Sequence, residues 1–413
     1  VGVKTVFRGE KMKKIIASVV GLMLAGGVAA TTASAVESQF GGYWRTRFIF
    51  EDNLRGGTPA TAGVQANDDT GSRYVTDTRT RLYYTAKFSD DLKFVNKFEF
   101  NTTWGDANGG DIGADGTGNW RIKNSYVDFN LGMMNTKVGI QNAKIARGFV
   151  FSDDFSGVVL APDFGAVKIP FLYAAAVDEQ ARGNHLGDTH LFSVMPTFKV
   201  GDSVVLTPHF TYLAETGQET SLDGDTFWLG IDADLKMDAV SAWGTAIYNF
   251  GQIGAGEDIS AWLVAAGASV NIFHTQAFYA TGDDDAADSD HDEYQTAPGE
   301  EYYWSEIMGL GIFDDGPSNG SPGDIITNIA AFNGGVTFKP MNKLTCNFDA
   351  WYAFLAEDNA NGDSDLGLEL DGVVTYSLLD DLSADFIFAY LFAGDATGDE
   401  DVIEAGMRLS LKF

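Results

Sequence analysis

Val402-Ile-Glu-Ala-Gly-Met-Arg-Leu-Ser-Leu-Lys-Phe413 alternates without a break. Ile403, Ala405, Met407, Leu409, Leu411 and Phe413 share one side, and Glu404, Gly406, Arg408, Ser410 and Lys412 share the other. Successive side chains of a β-strand point to opposite faces, so this period predicts a strand that is apolar on one face and wet on the other. The pattern recurs upstream. Tyr74, Thr76, Thr78, Thr80, Leu82, Tyr84, Ala86 and Phe88 oppose Val75, Asp77, Arg79, Arg81, Tyr83, Thr85 and Lys87. Leu92, Phe94, Phe98, Phe100 and Trp104 oppose Lys93, Lys97 and Glu99.

Eighteen such segments fill the chain, over 40–51, 74–88, 92–104, 120–130, 136–142, 155–161, 166–176, 190–200, 204–213, 226–235, 240–250, 258–270, 273–281, 325–338, 343–354, 365–377, 382–392 and 402–413. Those between 136 and 176 carry the weakest pattern, and loss of a hairpin there leaves sixteen. Connections after even-numbered segments are short, as at Ser89-Asp90-Asp91, Gly201-Asp202-Ser203 and Asn271-Ile272. Those after odd-numbered segments are mostly long and polar, and Gly282 to Asp324 is the longest. Short turns at one end and long loops at the other predict an up-and-down barrel. Lipid offers the backbone no partners, so strands cross it as a closed ring. Arg79 and Arg81 in hydrocarbon would cost several kcal/mol, which turns them toward a polar interior. The expected fold is all-β, a transmembrane antiparallel barrel of eighteen strands, with sixteen as the alternative.

The final strand, ending on Phe413, resembles the terminal signal of bacterial outer-membrane β-barrels. The resemblance implies handling by the barrel assembly machinery and a setting of outer-membrane lipid and lipopolysaccharide in a Gram-negative envelope. Met12-Lys13-Lys14, an apolar run from Ile15 to Ala30 and Ala33-Ser34-Ala35 read as a secretory signal peptide over 12–35, with 1–11 as an extension before its natural start. The barrel is then 36–413. Phe155-Ser156-Gly157-Val158, Ile169-Pro170-Phe171-Leu172-Tyr173-Ala174 and Val138-Gly139-Ile140-Gln141 resemble the porin-like alginate-export family, which implies an eighteen-stranded barrel. Its polysaccharide cargo is not expected here, because such exporters have a strongly basic lumen and this chain has a net charge of −31.

That charge excludes a basic nucleic-acid footprint. It is also unevenly spread. Glu37 to Arg147 holds 14 Lys+Arg against 13 Asp+Glu, and Gly148 to Phe413 holds 8 against 44. The inward parity places Arg45, Arg47, Arg79, Arg81, Lys93, Lys97, Arg121 and Lys123 on the wall built by the first strands. Asp232, Asp234, Glu369, Asp371 and Asp385 share that parity on later strands. These residues are the expected pore lining. Opposed signs across a constriction set up a transverse field that orients polar solutes, while the plainer reading is a set of cross-strand ion pairs. Lys144, Arg147, Asp153 and Asp154 lie in 141–154, the expected constriction loop.

No cofactor is expected. Asp288, Asp290 and Asp292 alternate as a Ca2+ loop does, but lack an EF-hand's glycine and downstream glutamate, and such an acidic block reads by default as a solvated mobile loop. The one cysteine, Cys346, forms no internal disulfide. No phosphate loop, dinucleotide fingerprint or zinc spacing occurs, and Gly201-Asp202-Ser203 sits in a tight turn, so an enzyme is not expected. The sequence therefore reads as a porin passing small polar solutes or ions. Rivals are a sleeve around a multihaem cytochrome, a polysaccharide exporter and an interfacial lipase. Porins are commonly homotrimers, and no interface is legible in the sequence.

Overall fold

The computed structural model describes residues 36–54, 71–105, 120–178, 187–217, 224–253, 256–285, 290–313, 322–398 and 400–413. The signal-peptide expectation over 12–35 and the extension over 1–11 lie outside the described residues. Eighteen strands form the wall. They are β1 (Glu37–Asp52), β2 (Ser72–Ser89), β3 (Leu92–Thr103), β4 (Trp120–Leu131), β5 (Met134–Ile145), β6 (Phe151–Pro162), β7 (Val167–Lys168 and Phe171–Asp178), β8 (Gly187–Val194 and Thr197–Val200), β9 (Val204–Gly217), β10 (Gly224–Met237), β11 (Val240–Ile253), β12 (Glu257–Val270), β13 (Phe273–Ala280), β14 (Ile329–Met341), β15 (Leu344–Leu355), β16 (Asp365–Ser377), β17 (Leu382–Ala393) and β18 (Val402–Lys412). Pro170 and Pro196 interrupt β7 and β8, because proline has no N–H for the ladder. The Met195 amide bonds the Pro170 carbonyl at 2.9 Å and ties the two breaks together.

Neighbours pair antiparallel around the wall, and β1 meets β18 from Tyr43 opposite Lys412 to Asp52 opposite Ile403. The ring is therefore closed, with eighteen strands rather than sixteen. Phe413 completes the seam. The Gly42 amide donates to its carbonyl at 2.6 Å, and the Phe413 amide donates back at 3.2 Å. The Phe413 ring lies over Gly42, where a Cβ would stand 2.2 Å from it.

Burial is inverted relative to a soluble protein. Arg47 is 0% exposed and Glu99 1%, whereas Phe386 is 52% and Phe40 80% exposed. Apolar side chains face outward to lipid and charges face the lumen, as barrel alternation in a membrane demands. Arg79 is buried inside while Leu82 and Phe88 are exposed outside, as their parity predicts.

The long connection from β13 to β14 corrects the expectation for 282–324. Among the described residues Asp284, Asp285 and Asp290 stay exposed, but the part from 294 to 313 does not stay out as a solvated loop. Tyr294, Ile307, Met308, Phe313 and Ile326 are all 0% exposed and form the core of the lumen with Trp228 and Trp351 of the wall. The physical reason lies beside the acids. Tyr302, Trp304, Ile307, Met308, Ile312 and Phe313 carry apolar area that water does not favour, and the barrel interior removes it. Tyr302 stacks on Phe149 at 3.9 Å, and Trp304 meets Trp351 edge-on at 5.0 Å.

Candidate functional site

Among the described residues two segments pack inside the barrel. The first is the turn between β5 and β6, where Ala146 (φ 50°) and Arg147 (φ 59°) adopt the left-handed backbone. That conformation costs about 1–2 kcal/mol per residue, and tertiary contacts hold it. The Arg147 guanidinium crosses to the β10–β11 wall, 2.9 Å from Asp234 and 3.7 Å from Asp232. It donates to Thr245 Oγ1 at 3.1 Å and lies over the Trp243 ring at 5.0 Å. Arg147 thus reaches from this turn to the opposite part of the wall. Lys144 lies on β5, and Asp153 and Asp154 on β6, so these three belong to the wall rather than to the loop.

The second segment is the long connection, which docks on the first. The Tyr294 hydroxyl donates to the Phe149 carbonyl at 3.0 Å, and the Ala297 amide to the Val150 carbonyl at 3.0 Å. Residues 304–313 then cross toward β16–β18 and β1. Glu369 of β16, 0% exposed, accepts the Ile307 amide at 2.7 Å and the Met308 amide at 2.8 Å. The Ile312 amide donates to Glu306 Oε2 at 2.6 Å. Phe313 packs with Ile49 of β1 and Ile387 of β17. Within this plug, burial pushes Glu300 up to about 8, with Asp324 and Glu301 adding to the rise against amide bonds that oppose it. Full burial also raises the Tyr294 hydroxyl well above its usual range.

Beside the plug lies a cavity of about 770 Å³. Arg45, Arg79, Arg81, Lys97, Lys123 and Arg408 line one side, and Glu301, Glu306, Asp349 and Asp371 line it from the plug and from β15–β16. Many of the cations are also paired along the wall. Arg81 sits 2.6 Å from Glu99, with Arg121 at 3.4 Å and Arg79 at 3.6 Å from the same carboxylate. Lys123 pairs with Asp154 at 2.5 Å, and Lys93 with Asp128 at 3.2 Å.

The remaining expected lining residues have other roles. Arg47 is closed off against Asp77 and reaches the Ile312 carbonyl at 3.4 Å. Asp232 and Asp234 hold Arg147, Glu369 holds the plug, and Asp385 holds Arg408 at 2.9 Å. Asp290 sits on a two-residue strand beside Asp258 of β12, and the Asp292 carbonyl accepts the Thr281 hydroxyl at 2.6 Å. Asp288 lies outside the described residues. Among the described residues no three His, Cys, Asp or Glu side chains gather as a metal site. Glu306 and Asp349 went unread in the sequence, and Glu301 was read only as part of an acidic loop. Parity alone would have found Asp349, whereas the two plug acids have no periodic signal.

No protein-family profile matches the chain, and no curated protein sequence matches it. Solved structures do. The chain is similar to Pseudomonas aeruginosa OccK11 (OpdR), with TM-score 0.59, 11% identity and coverage of 91% of this chain and 96% of that one. Pseudomonas aeruginosa OpdK, solved with vanillate, gives 0.59, 11%, 91% and 98%. Acinetobacter baumannii OccAB4 gives 0.58, 10%, 91% and 98%. At such identity the likeness is one of fold, that of an eighteen-stranded antiparallel β-barrel whose apolar side chains face outward.

Proposed function

We propose that this barrel is a porin, a passive diffusion channel for small hydrophilic solutes or ions. The observation that carries this reading is the lumenal cavity of about 770 Å³ lined by charges of both signs, whose cations we read as a basic wall facing acids. Its cations come from β1–β5 and β18 and its carboxylates from β6, β15, β16 and the plug, so a solute in transit meets a field directed across the bore. Such a field orients dipolar and zwitterionic solutes and slows those that cannot align. The neighbour that holds vanillate makes small carboxylates reasonable first solutes to test.

A cytochrome sleeve is the weaker reading, since residues 294–313 occupy the space a protein cargo would need. A polysaccharide exporter is also disfavoured, because the cavity mixes both signs instead of presenting a uniformly basic track. We further infer lipid and lipopolysaccharide contacts around the outer face and recognition of the Phe413 strand during assembly. Catalysis has no part in this reading.

Planar-bilayer recording tests it. Wild-type protein should give ohmic steps, and Arg79→Ser with Arg81→Ser should move the reversal potential in a KCl gradient toward cation preference. A folded barrel that passes no current sinks the channel. Unchanged selectivity in the double variant sinks the basic wall.

A further inference from the structure

The cavity has a second lobe of different chemistry. It encloses about 460 Å³ between the β11–β15 wall and Trp304, and reaches the short turn at Asn271–Ile272. That size lies within the roughly 300–1,000 Å³ of small-molecule sites. No lysine or arginine lines it. Trp304, Asn347 and Asp349 border both lobes, so the two lie side by side in the lumen.

The lobe is organised around Asp349. His274 of β13, Gly335 of β14 and Asp349 of β15 stand abreast in register. A Cβ on Gly335 would stand 2.2 Å from both His274 Nε2 and Asp349 Oδ1, so glycine leaves the gap through which these atoms meet at 2.6 Å. Asn333 Nδ2 donates to the same oxygen at 2.9 Å, and Asn347 Nδ2 donates to Asp349 Oδ2. The one carboxylate is thereby bonded to three side chains of the wall. The Thr337 hydroxyl donates to Asn347 Oδ1 at 2.5 Å, and the Tyr302 hydroxyl donates to Gln276 Oε1 at 3.2 Å. His274 keeps 26% of its side chain exposed.

We propose that this lobe binds uncharged polyhydroxylated solutes of mono- to trisaccharide size. Among the described residues no lysine or arginine lines the lobe to hold an anion, and three of the roughly four acceptor sites of Asp349 are already taken by His274, Asn333 and Asn347, which leaves a cation little free coordination. A sugar hydroxyl both donates and accepts, which matches fixed amides, an imidazole and hydroxyls. Trp243, Trp304 and Trp351 line the lobe and give the apolar C–H side of a sugar ring aromatic surface to pack on. The inference rests on the porin reading for its biological sense, and its binding test does not depend on current.

Saturation-transfer NMR of the whole protein in detergent micelles, with glucose, sucrose and maltotriose as probes, decides it. Wild-type barrel should transfer saturation to at least one of the three. Asn333→Leu and Asn347→Leu, each checked for the heat-modifiable gel shift of a folded barrel, should each weaken that sugar about tenfold, the effect of roughly one lost hydrogen bond. Arg79→Ser should leave it unchanged. Silence from wild type with all three sugars overturns the proposal, as does equal binding by wild type and both leucine variants. A wild type that binds sugar and passes no current removes the porin reading and leaves the lobe standing. A conducting wild type that binds none does the reverse.

Discussion

Glu369 shows how a single lumenal carboxylate fixes a distant segment. Its two oxygens each accept one amide of consecutive plug residues, Ile307 and Met308, at 2.7 and 2.8 Å. Charge-assisted bonds of this kind are roughly twice as strong as neutral ones. Removing the acceptor strands two buried N–H groups, each at a cost of about 1–3 kcal/mol. Glu369→Ala should therefore loosen residues 304–313 while the wall persists. Limited proteolysis should cut within 304–313 in the variant and not in wild type, and single-channel records should show a larger, noisier conductance. Identical proteolysis patterns would remove Glu369 from this anchoring role. The residue's inward parity was legible in the sequence. Its use was not, because the amides it holds lie about sixty positions away and belong to no periodic segment.

At the scale of elements, the strands and the plug obeyed different rules. Most strands were legible because each repeats a two-residue period against one greasy and one wet environment, and the pattern was weakest over 136–176, where Pro170 breaks β7. The plug has no period. Its acids between Asp283 and Glu301 dominate the reading, while Trp304, Ile307, Met308 and Phe313 form a short apolar patch that a loop has no local reason to bury. Only the closed ring supplies a place for them. Glu300 gives this element a pH dependence. Its docked pKa, about 8, stands above the ordinary 4.5 of the undocked loop. The docked form thus binds more protons between these values, so docking weakens as pH rises through that window and levels off above it. Hydrogen exchange at residues 294–313 should quicken from pH 5 to pH 8, after correction for the intrinsic rate. Glu300→Gln should flatten that slope and protect the plug at pH 8. A slope unchanged by the substitution would assign the effect to other groups.

For the whole molecule, closure is the condition on which every other feature depends. A ring of strands has no edge, and so no unpaired backbone faces lipid. The seam is where that condition is most exposed, since β1 and β18 are joined by no turn and meet only through pairing. At its short-turn end the seam is held by the reciprocal bonds of Gly42 and Phe413 and by the ring lying over the glycine. Gly42→Val places methyl groups where that ring lies and forces Phe413 aside. The loss should appear as a lower temperature for the gel-mobility shift from folded to unfolded barrel, and as a smaller folded yield in membranes. Molecules that do close should conduct as wild type, because Gly42 and Phe413 do not line the 770 Å³ cavity. Phe413→Leu keeps an apolar terminus without the flat ring and should give a smaller drop. Equal melting of all three proteins would mean that the ladder from Tyr43 to Asp52 holds the seam unaided.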